Sequence, residues 1–243
     1  MKFFASLLLV LVSLNAKAST QQPEKIIGDN DLVAVNADGS NIPAKYKNLL
    51  DAFGVMSMGC TATHIGNGIV LSAGHCFWAE DTLTKDQPCS DTTIDWGVRG
   101  DKKAYLTSKC EKVLFEQKDS TGSDFSVFKV SPIPTAAVGV ELDRKELPGE
   151  KVTIFSHPEE LPLQWSKTCV VENNSDKGLP PEAMQHTCDT NPGSSGATII
   201  DENTLKVVAI HDGGHLTGPK TGMNYGTYLT DKNVHDALKS LGF

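Results

Sequence analysis

The chain has 243 residues, of which 39% are hydrophobic and 21% are charged, so it can bury a sizeable core as one large domain or two small ones. Its formal net charge of −8 argues against nucleic acid or an anionic membrane as the main partner. We therefore expect no nucleic-acid partner.

The first 18 residues have the pattern of an export signal. Lys2 supplies the positive charge, residues 3–14 form a short apolar run, and residues 16–18 read Ala-Lys-Ala, a cleavage-site pattern. The run is too short to span a bilayer comfortably and no cysteine follows it, so we expect cleavage and no membrane or lipid anchor. The sequence predicts a secreted or periplasmic protein, because the same signal serves both destinations. The polar residues 19–25 are predicted to be a leader or a short pro-segment.

From Ile26 onward, short apolar runs alternate with turn residues, which is typical of an all-β protein. A proline-containing stretch at 131–149 predicts a linker between two β halves, one at 26–130 and one at 150–230. The predicted strands are Leu32–Val35, Ile69–Ser72, Val113–Phe115, Phe125–Val130, Lys151–Phe155, Cys169–Val171, Ala197–Ile200 and Lys206–Ile210.

The last stretch, 231–243, has a different period. Its apolar side chains recur at helical spacing, Thr230 or Asp231 can cap the first turn, and Gly242 can end the last one. The apolar positions are Val234, Ala237, Leu238 and Leu241. The sequence thus predicts two all-β halves followed by one C-terminal helix.

The six cysteines are an even number in a chain predicted to fold in an oxidising compartment, which favours disulfides over metal ligands. Six cysteines allow 15 sets of pairings, and none of the cysteines lies in a C-x-x-C motif. Cys60 lies one predicted hairpin before Cys76, so this pair can clamp the intervening loop.

Three short motifs carry candidate chemistry. Leu-Ser-Ala-Gly-His-Cys at 71–76 ends a β-run on His75, and Asp124 stands at the mouth of the apolar strand that follows it. The third motif, Pro-Gly-Ser-Ser-Gly at 192–196, must form a tight turn because of its glycines and proline. Such a turn can hold a nucleophilic serine beside backbone N–H groups that bind an oxyanion.

Together these motifs resemble the chymotrypsin-type serine proteases, from about Ile26 to Phe243. The carriers are Cys60-Thr, Leu71-Ser-Ala-Gly-His-Cys76, Asp124-Phe-Ser-Val and Gly193-Ser-Ser-Gly196. Their order, His before Asp before Ser, differs from the Ser, Asp, His order of α/β-hydrolases. The resemblance implies an all-β fold of two six-stranded antiparallel β-barrels, with the active site in the cleft between them.

The resemblance also implies the role of each residue. Ser195 would be the nucleophile, His75 its base, and Asp124 the group that orients the imidazole. The N–H groups of Gly193 and Ser195 would form the oxyanion hole. Asp119 is a nearby alternative to Asp124, without the strand that follows.

Ser194 departs from the mammalian pattern, in which an aspartate before the nucleophile pairs with the new N-terminus after zymogen cleavage. An uncharged residue there resembles the bacterial glutamyl endopeptidase branch. Two further segments are similar to that branch, Lys25-Ile-Ile-Gly-Asp-Asn-Asp31 and Val207-Val-Ala-Ile-His-Asp-Gly-Gly214. In that branch the mature chain begins near the first segment, which implies cleavage near Glu24 or Lys25.

Substrate specificity has two readings. Thr190 and His211 match positions that bind a glutamate side chain in glutamyl endopeptidases, and both can donate to a carboxylate. Asp189 stands where trypsin carries the aspartate that selects arginine and lysine, although the glutamyl branch commonly has an acidic residue there too. Gly213, Gly214 and Gly226 resemble the small residues of the pocket wall. The sequence favours acidic substrates and leaves cleavage after arginine or lysine as the alternative.

With Cys60–Cys76 accepted, we expect Cys169 to pair with Cys188 and Cys89 with Cys110, but the sequence leaves these two connectivities open. Five histidines have no partner pattern: His64, His157, His186, His215 and His235. His211 and His215 are four apart, but the two glycines between them argue against a helical zinc pair, so we expect no metal and no cofactor.

We therefore predict a monomeric secreted serine endopeptidase that acts on polypeptides. The rival from another class is a catalytically silent protease homologue that serves as a binding module. An intact set of His75, Asp124 and Ser195 argues against that rival.

Overall fold

The structure is a computed structural model, and it describes residues 25–89, 91–173, 176–214 and 222–243. The predicted export signal and most of the predicted leader lie outside these residues. The strands are β1 (Val33–Ala34), β2 (Phe53–Met56), β3 (Thr61–Gly66), β4 (Ile69–Ser72), β5 (Thr84–Gln87), β6 (Thr93–Trp96), β7 (Leu106–Lys118), β8 (Asp124–Ser131), β9 (Lys151–Ser156), β10 (Gln164–Glu172), β11 (Met184–His186), β12 (Thr198–Asp201), β13 (Val207–Gly214) and β14 (Asn224–Tyr228). The helical segments are three 3-10 turns, Ala44–Ala52, Gly74–Phe77 and Pro158–Glu160, and the α-helix α1 (Lys232–Ser240).

The strands form two closed antiparallel barrels. In the first, the order β7-β6-β2-β3-β4-β8 closes through the pairing of β7 with β8, and β5 adds to β7 from outside. In the second, the order β10-β11-β14-β13-β12-β9 closes through the pairing of β10 with β9. Each barrel therefore has six strands, and the predicted all-β, chymotrypsin-like fold is confirmed.

The segment that precedes the first barrel crosses to the second one. Val33 and Ala34 in β1 pair with Trp165 and Gln164 in β10. The segment between the barrels also contacts both, because Val138 N–H donates to His64 O and Val207 N–H donates to Gly139 O. These crossings connect the two barrels through backbone hydrogen bonds.

Apolar side chains fill each barrel and the space between the barrels. One cluster, which includes Met56, Val70 and Trp96, lies in the first barrel, and another, which includes Val152 and Ile199, lies in the second. A third cluster spans both and stacks Phe53 on Phe155 with ring centroids 5.2 Å apart. Because side chains of both barrels share this core, the barrels cannot separate without exposing apolar surface to water.

The C-terminal helix forms where the sequence predicts it. Asp231, rather than Thr230, is the N-cap: its carboxylate accepts hydrogen bonds from Asn233 N and Val234 N at 2.9 and 3.3 Å. The predicted apolar face is buried at Val234, Ala237 and Leu238. Within the described residues, no helix is long and apolar enough to cross a membrane.

All three expected cysteine pairs are disulfides in the structure: Cys60–Cys76, Cys89–Cys110 and Cys169–Cys188. Bridges of this kind form and persist in oxidising compartments. They agree with a protein that folds outside the cytoplasm.

Candidate active site

His75 sits in the 3-10 turn Gly74–Phe77 that follows β4. The turn presses against β7 so closely that a Cβ on Gly74 would lie 2.1 Å from Gln117 O, which only glycine avoids. The disulfide from Cys76 to Cys60 fastens the turn to the start of β3. Close packing on β7 and the disulfide thus fix the position of the turn that carries His75.

Asp124 holds both the backbone and the ring of His75. One carboxylate oxygen accepts from His75 N and the other contacts His75 Nδ1, each at 2.8 Å, and both residues are only 4% exposed. A carboxylate only accepts, so Nδ1 carries a hydrogen, and in the neutral ring Nε2 then presents a lone pair. Nε2 has no hydrogen-bond partner among the described residues. An imidazole in this tautomer can take a proton from a hydroxyl.

The alternative carboxylate, Asp119, is engaged in its own loop. It accepts from the backbone N–H groups of Thr121 and Gly122 at 2.8 and 3.1 Å, and it also contacts the Gln117 side chain. The structure brings Asp124, and not Asp119, to the imidazole.

Ser195 lies in a buried turn whose glycines adopt positive φ, +104° at Gly193 and +83° at Gly196. A Cβ on Gly196 would lie 2.0 Å from Ser72 Oγ, so the turn requires glycine there. Thr61 N–H donates to Ser195 O at 2.9 Å. Because Thr61 follows Cys60, this bond ties the serine turn to the disulfide that fixes His75.

The N–H of Gly193 points away from the 157–161 loop. Glu159 N–H donates to Pro192 O at 2.6 Å, and across a trans peptide the N–H of the next residue points the opposite way. On the other side of Gly193, its carbonyl accepts from Thr61 Oγ1 at 2.8 Å. Both peptide groups of Gly193 are thus held, which is the preorganisation that an oxyanion hole needs.

Ser194 faces the interior. Its hydroxyl lies 3.0 Å from Ser156 Oγ and it is fully buried, with no charged group among its hydrogen-bond partners in the described residues. Because serine is uncharged, Ser194 cannot form the salt bridge with a chain terminus that an aspartate forms at this position.

The N-terminal segment is anchored instead by Asp189. Its carboxylate accepts from Ile27 N at 2.8 Å and from Asp31 N at 2.6 Å, and the residue is only 3% exposed. Burial raises the pKa of this carboxyl, and the two backbone hydrogen bonds oppose that rise. The structure gives Asp189 the task of binding the chain's own backbone.

The other predicted pocket residues lie together on neighbouring strands. His211 on β13 is fully buried and pairs with Gly226 on β14, and Gly213 and Gly214 pair with Tyr225 and Asn224. A Cβ on Gly226 would lie 2.2 Å from Ile210 O, so close strand contact requires this glycine. Thr190 is fully buried, and its Oγ1 has no hydrogen-bond partner among the described residues.

Sequence reasoning missed His186, whose Nε2 lies 3.2 Å from His211 Nδ1. Both rings are buried, and burial, with the neighbouring His211, holds the pKa of His186 well below its ordinary value. His186 stands on β11, and its only sequence signal is its place two residues before Cys188. Pairing of β11 with β14 brings it next to the strand that carries Gly226 of the predicted pocket.

Among the described residues, the one group of atoms close enough to hold a metal ion comprises His75 and the sulfurs of Cys60 and Cys76. Both sulfurs are joined in a disulfide, so neither is a thiolate ligand. The prediction that His211 and His215 do not form a zinc pair is not tested, since His215 lies outside the described residues.

Comparisons with known proteins agree with the fold. A family model described as a trypsin-like peptidase domain matches residues 60–210. The structure of a Glu endopeptidase in complex with MPD superposes with a TM-score of 0.65 at 18% identity, covering 89% of this chain and 98% of that chain. The Rv3671c protease in its inactive form gives a TM-score of 0.55 at 16% identity, covering 83% of this chain and 97% of that chain. Identities this low show a shared fold, and no curated protein matches this sequence.

Proposed function

Because the chain belongs to the trypsin-like peptidase family, we propose that it is an exported serine endopeptidase that uses His75, Asp124 and Ser195. The observation that carries the proposal is the double hydrogen bond from His75 to Asp124, with the imidazole held in its proton-accepting tautomer. A disulfide restrains the turn that carries His75, and a carboxylate restrains both the backbone and the ring of the residue, which is more than burial of a structural histidine requires.

In the proposed reaction, Ser195 Oγ attacks the carbonyl carbon of the scissile peptide bond while His75 Nε2 takes its proton. The negative charge that develops on the carbonyl oxygen is bound by the N–H groups of Gly193 and Ser195, worth roughly 3–4 kcal/mol for each donor. His75 then protonates the leaving amine, and an acyl-enzyme on Ser195 remains. Water, deprotonated by His75, releases the acid product and restores the serine.

The test of this proposal compares two adjacent hydroxyls. Ser195→Ala should abolish hydrolysis of a denatured protein substrate and labelling by a fluorophosphonate probe. Ser194→Ala is the matched control, because Ser194 contacts Ser156 inside the protein, and it should keep both activities. The rival, a silent homologue that only binds, predicts no labelling of the wild-type protein. Residual proteolysis of Ser195→Ala at the wild-type rate would refute the assignment.

For specificity we propose cleavage after acidic residues. A chain of hydrogen bonds through His186 and His211, which sets the tautomer of each ring, supports this proposal. Cys188 N–H donates to His186 Nδ1 at 3.2 Å, so the hydrogen of a neutral His186 ring is on Nε2. That nitrogen lies 3.2 Å from His211 Nδ1, and His186 also has a hydrogen bond to the backbone of Tyr225. When His211 Nδ1 accepts from His186, the hydrogen of the neutral His211 ring is on Nε2. An N–H donor of this kind, together with the Thr190 hydroxyl, suits a substrate carboxylate.

Cleavage after arginine or lysine has less support. It needs a free carboxylate at the pocket floor, whereas both oxygens of Asp189 already accept backbone N–H groups. A substrate guanidinium would have to displace the N-terminal segment in order to pair with it.

A panel of fluorogenic peptides separates the two specificities, with Glu, Asp, Arg, Lys, Phe or Leu before the cut site. Glu should give the highest kcat/KM. His186→Ala should raise KM for Glu peptides with little change for Phe peptides, whereas the control His235→Gln, a half-buried histidine on α1, should change neither. A preference for Arg or Lys peptides would overturn the acidic assignment and leave the serine mechanism intact.

We further propose that the mature chain begins near Lys25, after export and removal of residues 1–18 and the leader. The backbone of Lys25 is already held in the pocket region: its N–H donates to Asn224 Oδ1 at 3.2 Å and its carbonyl accepts from Thr190 N at 3.2 Å. N-terminal sequencing of the active exported protein tests this, and a start at Ser19 would contradict it. The same preparation, by light scattering, tests the expectation that the enzyme is a monomer.

A further inference from the structure

A second carboxyl group lies beside the proposed catalytic aspartate. Asp212 on β13 is fully buried, and its Oδ2 lies 2.8 Å from Thr227 Oγ1. Thr227 in turn accepts the backbone N–H of Asp124 at 2.8 Å. The other carboxyl oxygen of Asp212, Oδ1, has no hydrogen-bond partner among the described residues. Neither the family resemblance nor the reaction above gives this carboxyl a task.

The positions of the hydrogens around Thr227 decide the state of Asp212. A hydroxyl has one hydrogen and two lone pairs, and Asp124 N–H already occupies one lone pair. Two oxygens compete for the hydrogen at 2.8 Å, Gly122 O and Asp212 Oδ2. A buried carbonyl requires a donor, so the Thr227 hydrogen goes to Gly122 O. Asp212 Oδ2 then faces the second lone pair and must bring a hydrogen of its own.

We infer that Asp212 is a neutral carboxylic acid that donates its hydrogen to Thr227 Oγ1 and thereby positions the backbone of Asp124. In this arrangement every partner of the Thr227 hydroxyl is satisfied. In the alternative, an ionised Asp212 would be fully buried next to a second carboxylate, with donors from Thr227 alone and no partner for Oδ1 among the described residues. The inference rests on the proposed role of Asp124, and Asp212 is a positioning residue, because it acts through Thr227.

The charged groups around Asp212 favour the same state. Asp124 on β8 disfavours a second negative charge, whereas the charge of Lys118 on β7 and the hydrogen bonds from Thr227 oppose this effect more weakly than burial and Asp124 together. Burial first, and then the charge of Asp124, raise the pKa of Asp212 well above its ordinary value. Facing strand β14 contributes Thr227, which is uncharged.

A neutral Asp212 has a consequence for the reaction. When His75 takes the proton of Ser195, the imidazolium is stabilised by the charge of Asp124 alone. A second anion nearby would hold the proton on His75 and slow its transfer to the leaving amine. Asp212 thus supports the backbone of Asp124 without adding charge to the triad.

The first experiment replaces the acid by its neutral isostere. In Asp212→Asn the amide can donate to Thr227 as the carboxylic acid does, so kcat/KM should stay within about threefold of wild type, and the acid limb of its pH profile should not move. Asp212→Ala removes the donor, and kcat should fall about tenfold or more with KM unchanged. If Asp212 were ionised, Asp212→Asn would shift the acid limb to lower pH by about one unit or more, which would overturn the inference.

The second experiment is independent of catalysis. At pH 7 the infrared spectrum of Ser195→Ala should contain a carbonyl component of a protonated carboxylic acid that is lost in Ser195→Ala/Asp212→Asn. Glu146, whose pKa burial raises to about 7, contributes equally to both spectra and cancels in their difference. The matched control Ser195→Ala/Asp236→Asn removes an exposed carboxyl and should keep the band. A spectrum that Asp212→Asn leaves unchanged would overturn the inference even if Asp212→Ala fails to fold. Because the band is read in an inactive variant, its loss or persistence stands apart from failure of the proposed function.

Discussion

The side-chain hydroxyl of Thr61 donates a hydrogen bond to the carbonyl oxygen of Gly193 at 2.8 Å, across the boundary between the two barrels. The same hydroxyl accepts His157 N–H at 2.9 Å, and the backbone N–H of Thr61 donates to Ser195 O at 2.9 Å. One residue at the start of β3 therefore binds the carbonyls of both residues whose N–H groups are proposed to bind the oxyanion. The orientation of the turn that holds Gly193 and Ser195 therefore depends on the first barrel as well as on the turn itself.

Thr61→Val should lower kcat about tenfold with little change in KM. Loss of a whole oxyanion donor costs roughly 100- to 1000-fold, and valine only loosens the peptide that carries one. Steady-state kinetics on one peptide substrate measures the effect, with Thr61→Ser expected to restore the rate. Thr63→Val is the control, since Thr63 lies on the same strand and its hydroxyl contacts Thr198 at 3.0 Å. An equal loss in both valine variants would argue for a general packing effect.

Gly196→Ala should abolish activity, or folding, because its Cβ would lie 2.0 Å from Ser72 Oγ at a φ of +83°. Gly242→Ala is matched in backbone conformation, at a φ of +89°, but has nothing within 4 Å of the added Cβ. We expect the control to keep full activity and to lose about 1 kcal/mol of unfolding free energy. Urea denaturation and kcat/KM measure the two effects, and similar behaviour of both variants would contradict the steric argument.

Asp189→Asn should destabilise the protein by roughly 1–3 kcal/mol, because an amide can accept only one of the two backbone hydrogen bonds to the N-terminal segment. Limited proteolysis should then cut within residues 25–31. The control Asp31→Asn alters an exposed pair with Lys167, which contributes less than about 1 kcal/mol. A change in preference between Glu and Arg peptides, without loss of stability, would instead assign Asp189 to substrate binding.

His157 predicts a pH dependence of stability. Burial lowers its pKa to about 4, below the ordinary 6.5, so the unfolded chain binds more protons between these values. The contribution of neutral His157 to the unfolding free energy is complete above pH 6.5. It is lost as the pH falls towards 4, by about 3 kcal/mol in total, so the unfolding free energy slopes upward with pH in this range.

His157→Gln should remove that slope, since glutamine does not titrate and its amide can still donate to Leu161 O, which now lies 3.0 Å from Nδ1. Unfolding is measured in a Ser195→Ala background to prevent self-digestion. The difference between the curves isolates His157 from Glu146, whose pKa is raised to about 7 by burial and whose slope has the opposite sign. The control His235→Gln, at a half-buried histidine on α1, should leave the slope in place, and a slope that survives in His157→Gln would contradict the assignment.

Much of the fold could be predicted from local pattern. Alternating apolar runs with turn residues predict strands, and capped helical spacing predicts α1, because these periods depend on neighbours in the chain. Closure of each barrel could not be read from the runs. It depends on which strands pair, as β7 with β8 and β9 with β10 do, and those pairings join distant segments.

The candidate site divides in the same way. Histidine, aspartate and serine in this order, each in its own local motif, gave His75, Asp124 and Ser195 as candidates. Asp189 shows the limit, since its position relative to Ser195 suggests a pocket charge, whereas its carboxylate binds Ile27 and Asp31 from 158 or more residues away.

The sequence by itself determined the family, the strand-rich composition of the chain and its candidate chemical groups, because short motifs and periodic patterns record local constraints. Only the tertiary structure decided what each polar group contacts. Thr61 and Gly193, His186 and His211, and Asp212 and Thr227 are all distant in sequence or lie on different strands. Their contacts arise from strand pairing and barrel docking, and burial then sets which hydrogen bonds and which charges the site can hold.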